Sequence, residues 1–184
     1  MEVLVRPAAE LRHGDVTLRR WRVADAGLAY DLVGASLEHL RPWMSWAAEH
    51  SPEGSLEYLR GCERDWDSGA AFNYLISEHG VPCGSAGLMA RIGPGGLEIG
   101  YWVARDRVGR GIATAAAAAL TEAAFGLPGI DRTEIVHDLS NAASGQIPRK
   151  LGYARVGTAV GRFPKAPGEC GTSAIWRLVR PAAG

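Results

Sequence analysis

Apolar positions along the chain switch between two periods. Leu97, Ile99, Tyr101 and Val103 alternate with Glu98, Gly100, Trp102 and Ala104, the period of a strand with two unlike faces. From Ile112 the period lengthens: Ala116, Ala119 and Ala123, with Leu120 and Ala124 beside them, predict a helix to Phe125 whose face is made of small side chains and can lie close to a sheet. The same reading gives a strand over Val16–Trp21, then a helix capped by Asp25 and running to Gly34. Ser36–Ala48 is broken at Pro42, and a helix starts at Ser51-Pro52 and extends to about Asp67 with Leu56, Leu59, Cys62 and Trp66 inward. Phe72–Glu78 and Val81–Arg91 are strands about a His79-Gly80 turn, and Gly93-Pro94-Gly95-Gly96 is a second turn. Thr133–His137 reads as a strand, Asn141–Leu151 as a short helix containing Pro148, and Tyr153–Phe163 and Thr172–Val179 as the last strands. Residues 1–14 read as a loose lead-in with a short strand at Glu2–Val5.

At 184 residues, 47% hydrophobic and 22% charged, the chain is expected to form one domain over residues 1–184, with a mixed α/β core. Lys and Arg balance Asp and Glu at 20 each, so charge offers no case for a nucleic-acid or membrane-surface partner. Cys62, Cys83 and Cys170 have neither metal-ligand spacing nor a disulfide pattern, and no metal site is expected. The N-terminus has no apolar signal core and no apolar run approaches the ~20 residues of a membrane span, which predicts a cytoplasmic protein.

Candidate chemistry concentrates between the alternating run and the small-residue helix, at Val108-Gly109-Arg110-Gly111-Ile112-Ala113-Thr114. Glycines let a ligand approach the main chain, and the first amides of a helix have no partner within it, so their N–H groups and the positive end of the helix dipole suit a phosphate. A bare Gly-x-Gly also makes a simple tight turn. The Walker pattern and the three-glycine dinucleotide fingerprint are absent from the sequence, as are a Gly-x-Ser-x-Gly elbow and an evident cysteine–histidine pair.

Tyr101-Trp102-Val103, a five-residue spacer and Gly109-Arg110-Gly111-Ile112-Ala113-Thr114 resemble the acetyl-coenzyme A segment of the GNAT N-acetyltransferases, most closely the RimJ/RimL type. Asn141, Ser144 and Lys150-Leu151-Gly152-Tyr153 resemble a second family motif. The two matches span roughly residues 97 to 157. The family loop reads [QR]-x-x-G-x-[GA], and Val108 stands where the Gln or Arg belongs; Arg107 or Arg110 is the candidate for the missing charge.

The resemblance implies a GNAT fold, a mixed, mostly antiparallel sheet with helices on both faces, and acetyl-CoA held by Trp102, Val103, Arg107, Val108, Gly109, Arg110, Gly111, Ile112, Ala113, Thr114 and Asn141. It implies direct transfer of acetyl to a primary amine, foremost the N-terminal α-amine of a protein or peptide; a small-molecule amine and a silent acyl-CoA-binding module are the alternatives. It predicts a monomer or homodimer. His39 to Trp46 resembles the region that walls the acceptor cleft, with Trp43 and Trp46 as flat, rigid surfaces; core packing is the competing reading for each.

Transfer from a thioester to an amine requires a neutral amine, a polarised carbonyl and a protonated leaving thiolate. Glu98, on the strand before the loop, is the expected base; an ion-paired strand residue is the competing reading, and Asp138 and His137 stand in reserve. The family's usual tyrosine acid falls at Pro148, leaving Ser144 to hydrogen-bond the sulfur or position a water. For Asn141 cofactor contact competes with a helix N-cap, a role open to Asn141 or Ser140. By the same resemblance, a main-chain N–H near a bulge at Trp102–Val103 meets the acetyl carbonyl.

Overall fold

A computed structural model describes residues 5–182. The strand expected at Glu2–Val5 lies outside them except for Val5, which is not in a strand. Eight strands form a sheet in the order β1-β2-β3-β4-β5-β6-β8-β7. They are β1 (Glu10–His13), β2 (Val16–Arg20), β3 (Ala71–Glu78), β4 (Val81–Met89), β5 (Gly96–Val103), β6 (Arg132–Asp138), β7 (Ala154–Val160) and β8 (Thr172–Val179). All neighbours are antiparallel except β5 and β6, whose crossover contains α4 (Ile112–Phe125). The other helices are α1 (Ala26–Gly34), α2 (Leu37–Leu40), α3 (Pro52–Ser68) and α5 (Ala142–Lys150).

Strand alternation assigns each helix to a face. Leu18, Phe72, Tyr74, Ile76, Leu88, Leu97 and Ile99 form one buried core with Ile112, Ala116, Ala117 and Leu120 of α4. On the other face Leu75 and Trp21 pack with Ala29 of α1 and with Leu59 and Cys62 of α3. Alanines at Ala116 and Ala117, both fully buried, let the α4 backbone lie close to the strands. Ser51 caps α3, its Oγ accepting the Gly54 N–H at 3.0 Å, and Gly69 ends it in the left-handed conformation at φ +80.

Four features differ from the sequence reading. Strand β1 lies in the stretch read as a lead-in: it is an edge strand with only Leu11 half-buried, made by pairing with β2 rather than by an apolar pattern of its own. Asp25 precedes α1, but its carboxylate takes the Arg19 guanidinium and the Arg22 N–H instead of capping that helix. The strands expected to reach Arg91 and Phe163 end at Met89 and Val160, so Arg91, Arg162 and Phe163 leave the ladder and turn toward the cleft described below.

Candidate active site

The glycine turn adopts a conformation that needs glycine. Gly109 and Gly111 have φ of +78 and +80, and Gly111 is the N-cap of α4. The first intrahelical bond runs from Ala115 N–H to the Gly111 carbonyl at 2.9 Å, so the amides of Ile112, Ala113 and Thr114 precede the ladder. A Cβ built on either glycine meets nothing, so the space before these amides is open. Val108 is half exposed and contributes no charge. Arg107 and Arg110 both bind Oε2 of buried Glu78, at 3.2 and 2.9 Å, and Arg107 Nε also lies 3.5 Å from the exposed Asp106 carboxylate, so two guanidinium groups are anchored beside the turn. Open amides, a helix dipole and two nearby guanidinium groups form a donor set suited to a diphosphate.

A gap opens beside this turn. Strands β5 and β6 are in register from Gly96↔Arg132 to Ile99↔Ile135 and pair no further, so Gly100–Val103 have no neighbour on that side. The β4–β5 register carries no bulge at Trp102–Val103. The irregularity lies in β4, where Cys83 is an extra residue between Ile76↔Gly84 and Ser77↔Pro82, and the Ala104 N–H bonds the Cys83 carbonyl at 2.7 Å. With Ala104 turned toward β4, the two-residue strand period aims the backbone groups of Tyr101 and Val103 into the gap. Gly84 admits this arrangement, because a Cβ there would sit 2.3 Å from the Trp102 carbonyl oxygen.

Helix α5 closes the α4 side of the gap. The Asn141 Oδ1 accepts the Ser144 N–H at 3.1 Å, so Asn141 does cap the helix, leaving its NH₂ as the group able to meet a ligand. The Tyr101 hydroxyl lies 3.3 Å from the Ser144 carbonyl and 3.4 Å from its Oγ. Burial pushes the Tyr101 phenol up to about 12, with the Ser144 contact opposing. Tyr101 was a motif residue in the sequence reading but not a chemical candidate; its place opposite Ser144 follows from the gap and could not be read from strand alternation. Tyr153 is committed elsewhere, its hydroxyl lying 2.7 Å from both Thr121 Oγ1 and Thr133 Oγ1, and Pro148 is buried.

On the opposite face a cleft of about 850 Å³ reaches from Trp43 and Trp46 across the sheet to Asn141 and Ser144. Gly87 and Gly100, paired across β4 and β5, lie in its floor, where Asn73 and Met89 fill the space of their missing side chains. Trp46 is half exposed and its ring lies 6.2 Å from that of Trp102. Glu98 lines the cleft with its side chain 7% exposed, Oε1 bonded by Arg91 and Oε2 by Arg162 at 2.9 Å. Its register partner Glu134 is also buried and accepts from Arg177 Nε at 2.8 Å. The sequence reading missed these arginines: Arg91 and Arg162 are 71 positions apart, and nothing local marks either as a partner of Glu98.

The two reserve residues hold structure. Burial opposes the charge on Asp138, yet the N–H groups of Cys170, Ser140 and Gly171 hold its carboxyl well below the usual carboxylate range. His137 takes the Trp176 Nε1–H on Nε2 at 3.0 Å, so its Nδ1 carries the proton donated to the Asp138 carbonyl at 2.8 Å. Among the described residues no cluster of His, Cys, Asp and Glu is arranged to hold a metal, and no helix is long and apolar enough to cross a membrane.

Residues 15–154 match the model of the acetyltransferase (GNAT) domain. The chain is 27% identical over 151 residues to the Bacillus subtilis protein named "Putative ribosomal N-acetyltransferase YdaF", covering 78% of this chain and 80% of that one. Its fold resembles RimL, a ribosomal L7/L12 α-N-protein acetyltransferase solved with coenzyme A, at TM-score 0.82 and 21% identity over 90% of this chain and 94% of that one. It also resembles Mycobacterium smegmatis RimJ, solved with a CoA-disulfide, at 0.81 and 24% over 95% and 90%. The microcin C7 self-immunity acetyltransferase MccE, solved with acetyl-CoA and AMP, superposes at 0.82 and 20% over 91% and 93%. With a family match spanning most of its length, around a sheet parted at β5 and β6 beside a glycine turn, the chain belongs to the GNAT acetyltransferase family.

Proposed function

We propose that the protein acetylates the N-terminal α-amine of a protein or peptide, using acetyl-CoA. The observation that carries this reading is the cleft itself, which passes from the gap beside α5 to an open wall at Trp43 and Trp46 and has room for a chain end. The similarity to ribosomal-protein acetyltransferases supports the same class of acceptor.

Acetyl-CoA, when bound, supplies the acetyl group as an activated thioester. The amides of Ile112, Ala113 and Thr114, with Gly109 and Gly111 keeping the approach clear, bind the diphosphate, and Arg107 and Arg110 add charge from their anchor on Glu78. The Asn141 NH₂ faces the pantetheine. Backbone N–H groups of Tyr101 and Val103 are the donors for the acetyl carbonyl. Trp43 and Trp46 hold the acceptor chain against the cleft wall.

Glu98 accepts the proton that the amine loses, through water. Since both its oxygens are engaged by guanidinium groups, water reaches the carboxylate when one of them lets go. The demand is modest for an α-amine of pKa about 8, and a few hundredfold greater for a lysine near 10.4 at the same pH. Ser144 and Tyr101 donate hydrogen bonds to the sulfur. A phenol at about 12 stays protonated and is too weak an acid to give its proton to a thiolate of ordinary pKa about 8.5, so solvent supplies that proton.

The test is thiol release from acetyl-CoA with three acceptor sets: peptides with free α-amines, α-blocked lysine peptides, and small amines. Selective turnover of the free-α-amine peptides is expected. Selective turnover of lysine peptides or small amines overturns the acceptor assignment, and cofactor binding without turnover of any set overturns the enzymatic one.

A further inference from the structure

We propose that Arg162 and Arg91 form a receptor for a carboxylate carried by the acceptor, on the side chain of its second or third residue. This rests on the reading of the cleft as an amine-acetylation site. Glu98 and Glu134 are neighbours in register on one sheet face, and two adjacent buried carboxylates repel unless neutralised. Arg177 serves Glu134, and both Arg91 and Arg162 serve Glu98, so three cations answer two anions. Within this cluster the cations exceed the anions by one, and two of them face the cleft: the Arg91 and Arg162 side chains are 34% and 49% exposed and both line it, with Glu49, Asp65, Asp138 and Glu169 elsewhere along its wall.

The pair is held ready for an anion. Arg91 is fixed by Glu98 and by the Phe163 ring, whose centroid is 5.1 Å from its guanidinium carbon. Arg162 has one ion-pair anchor among the described residues, the 2.9 Å contact to Glu98, and sits past the end of β7 beside an exposed Phe163. A planar guanidinium with that much open surface can take a second carboxylate bidentately. Glu98 and Trp102 are four residues apart on one face of β5, roughly 13 Å along the strand. With the amine between these two positions, within water-bridged reach of Glu98, the α-carboxylate of a free amino acid stays beside its own amine, whereas an Asp or Glu side chain one or two residues into an extended peptide extends further along the cleft toward Arg162. Moving Arg162 onto the acceptor also frees Glu98 Oε2 to receive the amine proton, so docking of the correct chain and exposure of the base become one event.

The experiment compares free-α-amine peptides that are identical except for Glu, Ala or Lys at positions two and three, together with free glutamate and alanine, on the wild type, Arg162→Gln and Arg162→Lys. The readout is the ratio of kcat/KM for acidic over neutral peptide, not the absolute rate. A ratio of about tenfold or more in the wild type is expected, falling to near one in Arg162→Gln and partly kept in Arg162→Lys. Equal rates for acidic and neutral peptides, or a ratio that survives Arg162→Gln, overturns the receptor, and a preference confined to free amino acids overturns the peptide source. Turnover of the neutral peptide tests the acetylation reading separately. Calorimetry with N-acetylated acidic and neutral peptides reads the receptor without turnover: tighter binding of the acidic peptide that is lost in Arg162→Gln supports it, and equal binding overturns it.

Discussion

Tyr101 illustrates how much of a residue's chemistry is set by what stands across from it. It belongs to the apolar face of β5 together with Leu97, Ile99 and Val103, and on a fully paired strand it would be a core aromatic. Because β6 departs after Ile99, its hydroxyl meets Ser144 at the edge of the cleft, buried enough to remain a phenol at any physiological pH. Tyr101→Phe should therefore lower kcat about tenfold, which is about 1.4 kcal/mol of transition-state stabilisation, and leave the KM for acetyl-CoA nearly unchanged. Steady-state kinetics with saturating acceptor checks this, and an unaltered kcat removes the phenol from the reaction. Glu98 is the opposite case, a residue whose position is visible in the strand pattern and whose candidate role the family resemblance implies, but whose two arginine partners neither reveals.

At the scale of elements, the site is a product of junctions. The turn between β5 and α4 works through its backbone, so Gly111→Val should act twice: a branched residue is forced to φ near +80, and its side chain enters the open space before the amides. The KM for acetyl-CoA is expected to rise at least ~10-fold, with a modest loss of stability; unchanged cofactor affinity by calorimetry would sink the turn as the diphosphate site. A second junction is Asp138, which ties the end of β6 to Ser140 and to the Cys170–Gly171 loop through three N–H bonds. Its folded pKa is depressed, so its contribution is present above the unfolded value of about 3.9 and is lost as pH falls through the folded one. Asp138→Asn should cost about 1–3 kcal/mol near neutral pH, with the gap from wild type closing as the pH drops below about 4. Urea titrations at several pH values measure it, and a pH-independent difference would mean that charge is not the cause.

Considered as a whole molecule, the sheet is closed along one half and parted along the other, so a ligand in the gap bridges strand segments, Gly100–Val103 of β5 and the end of β6, that do not pair with each other. Coenzyme A at 100 times its Kd should stabilise the fold by about 2.7 kcal/mol. For a chain of this length that is a rise in Tm of roughly 5–10 °C. Differential scanning fluorimetry with and without coenzyme A provides the measurement; no shift in the wild type would contradict binding at the gap, and the shift should shrink in Gly111→Val.

The order of elements, the hairpin at His79-Gly80, the small-residue helix and the glycine turn were all legible in the chain, because periodicity, caps and turn residues are local properties. Strand β8 has the bounds its alternation predicts, whereas β1 could not be seen, since an exposed edge strand has no buried face to pattern it. Tertiary structure alone decided where β5 and β6 part, that the irregular residue is Cys83 and not Trp102 or Val103, and that Arg107 and Arg110 share Glu78. It also decided the company of Glu98. Charge pairing across a sheet joins residues far apart in sequence, and an ion pair between Glu98 and Arg162 exists only because the loop after β7 folds back over the cleft.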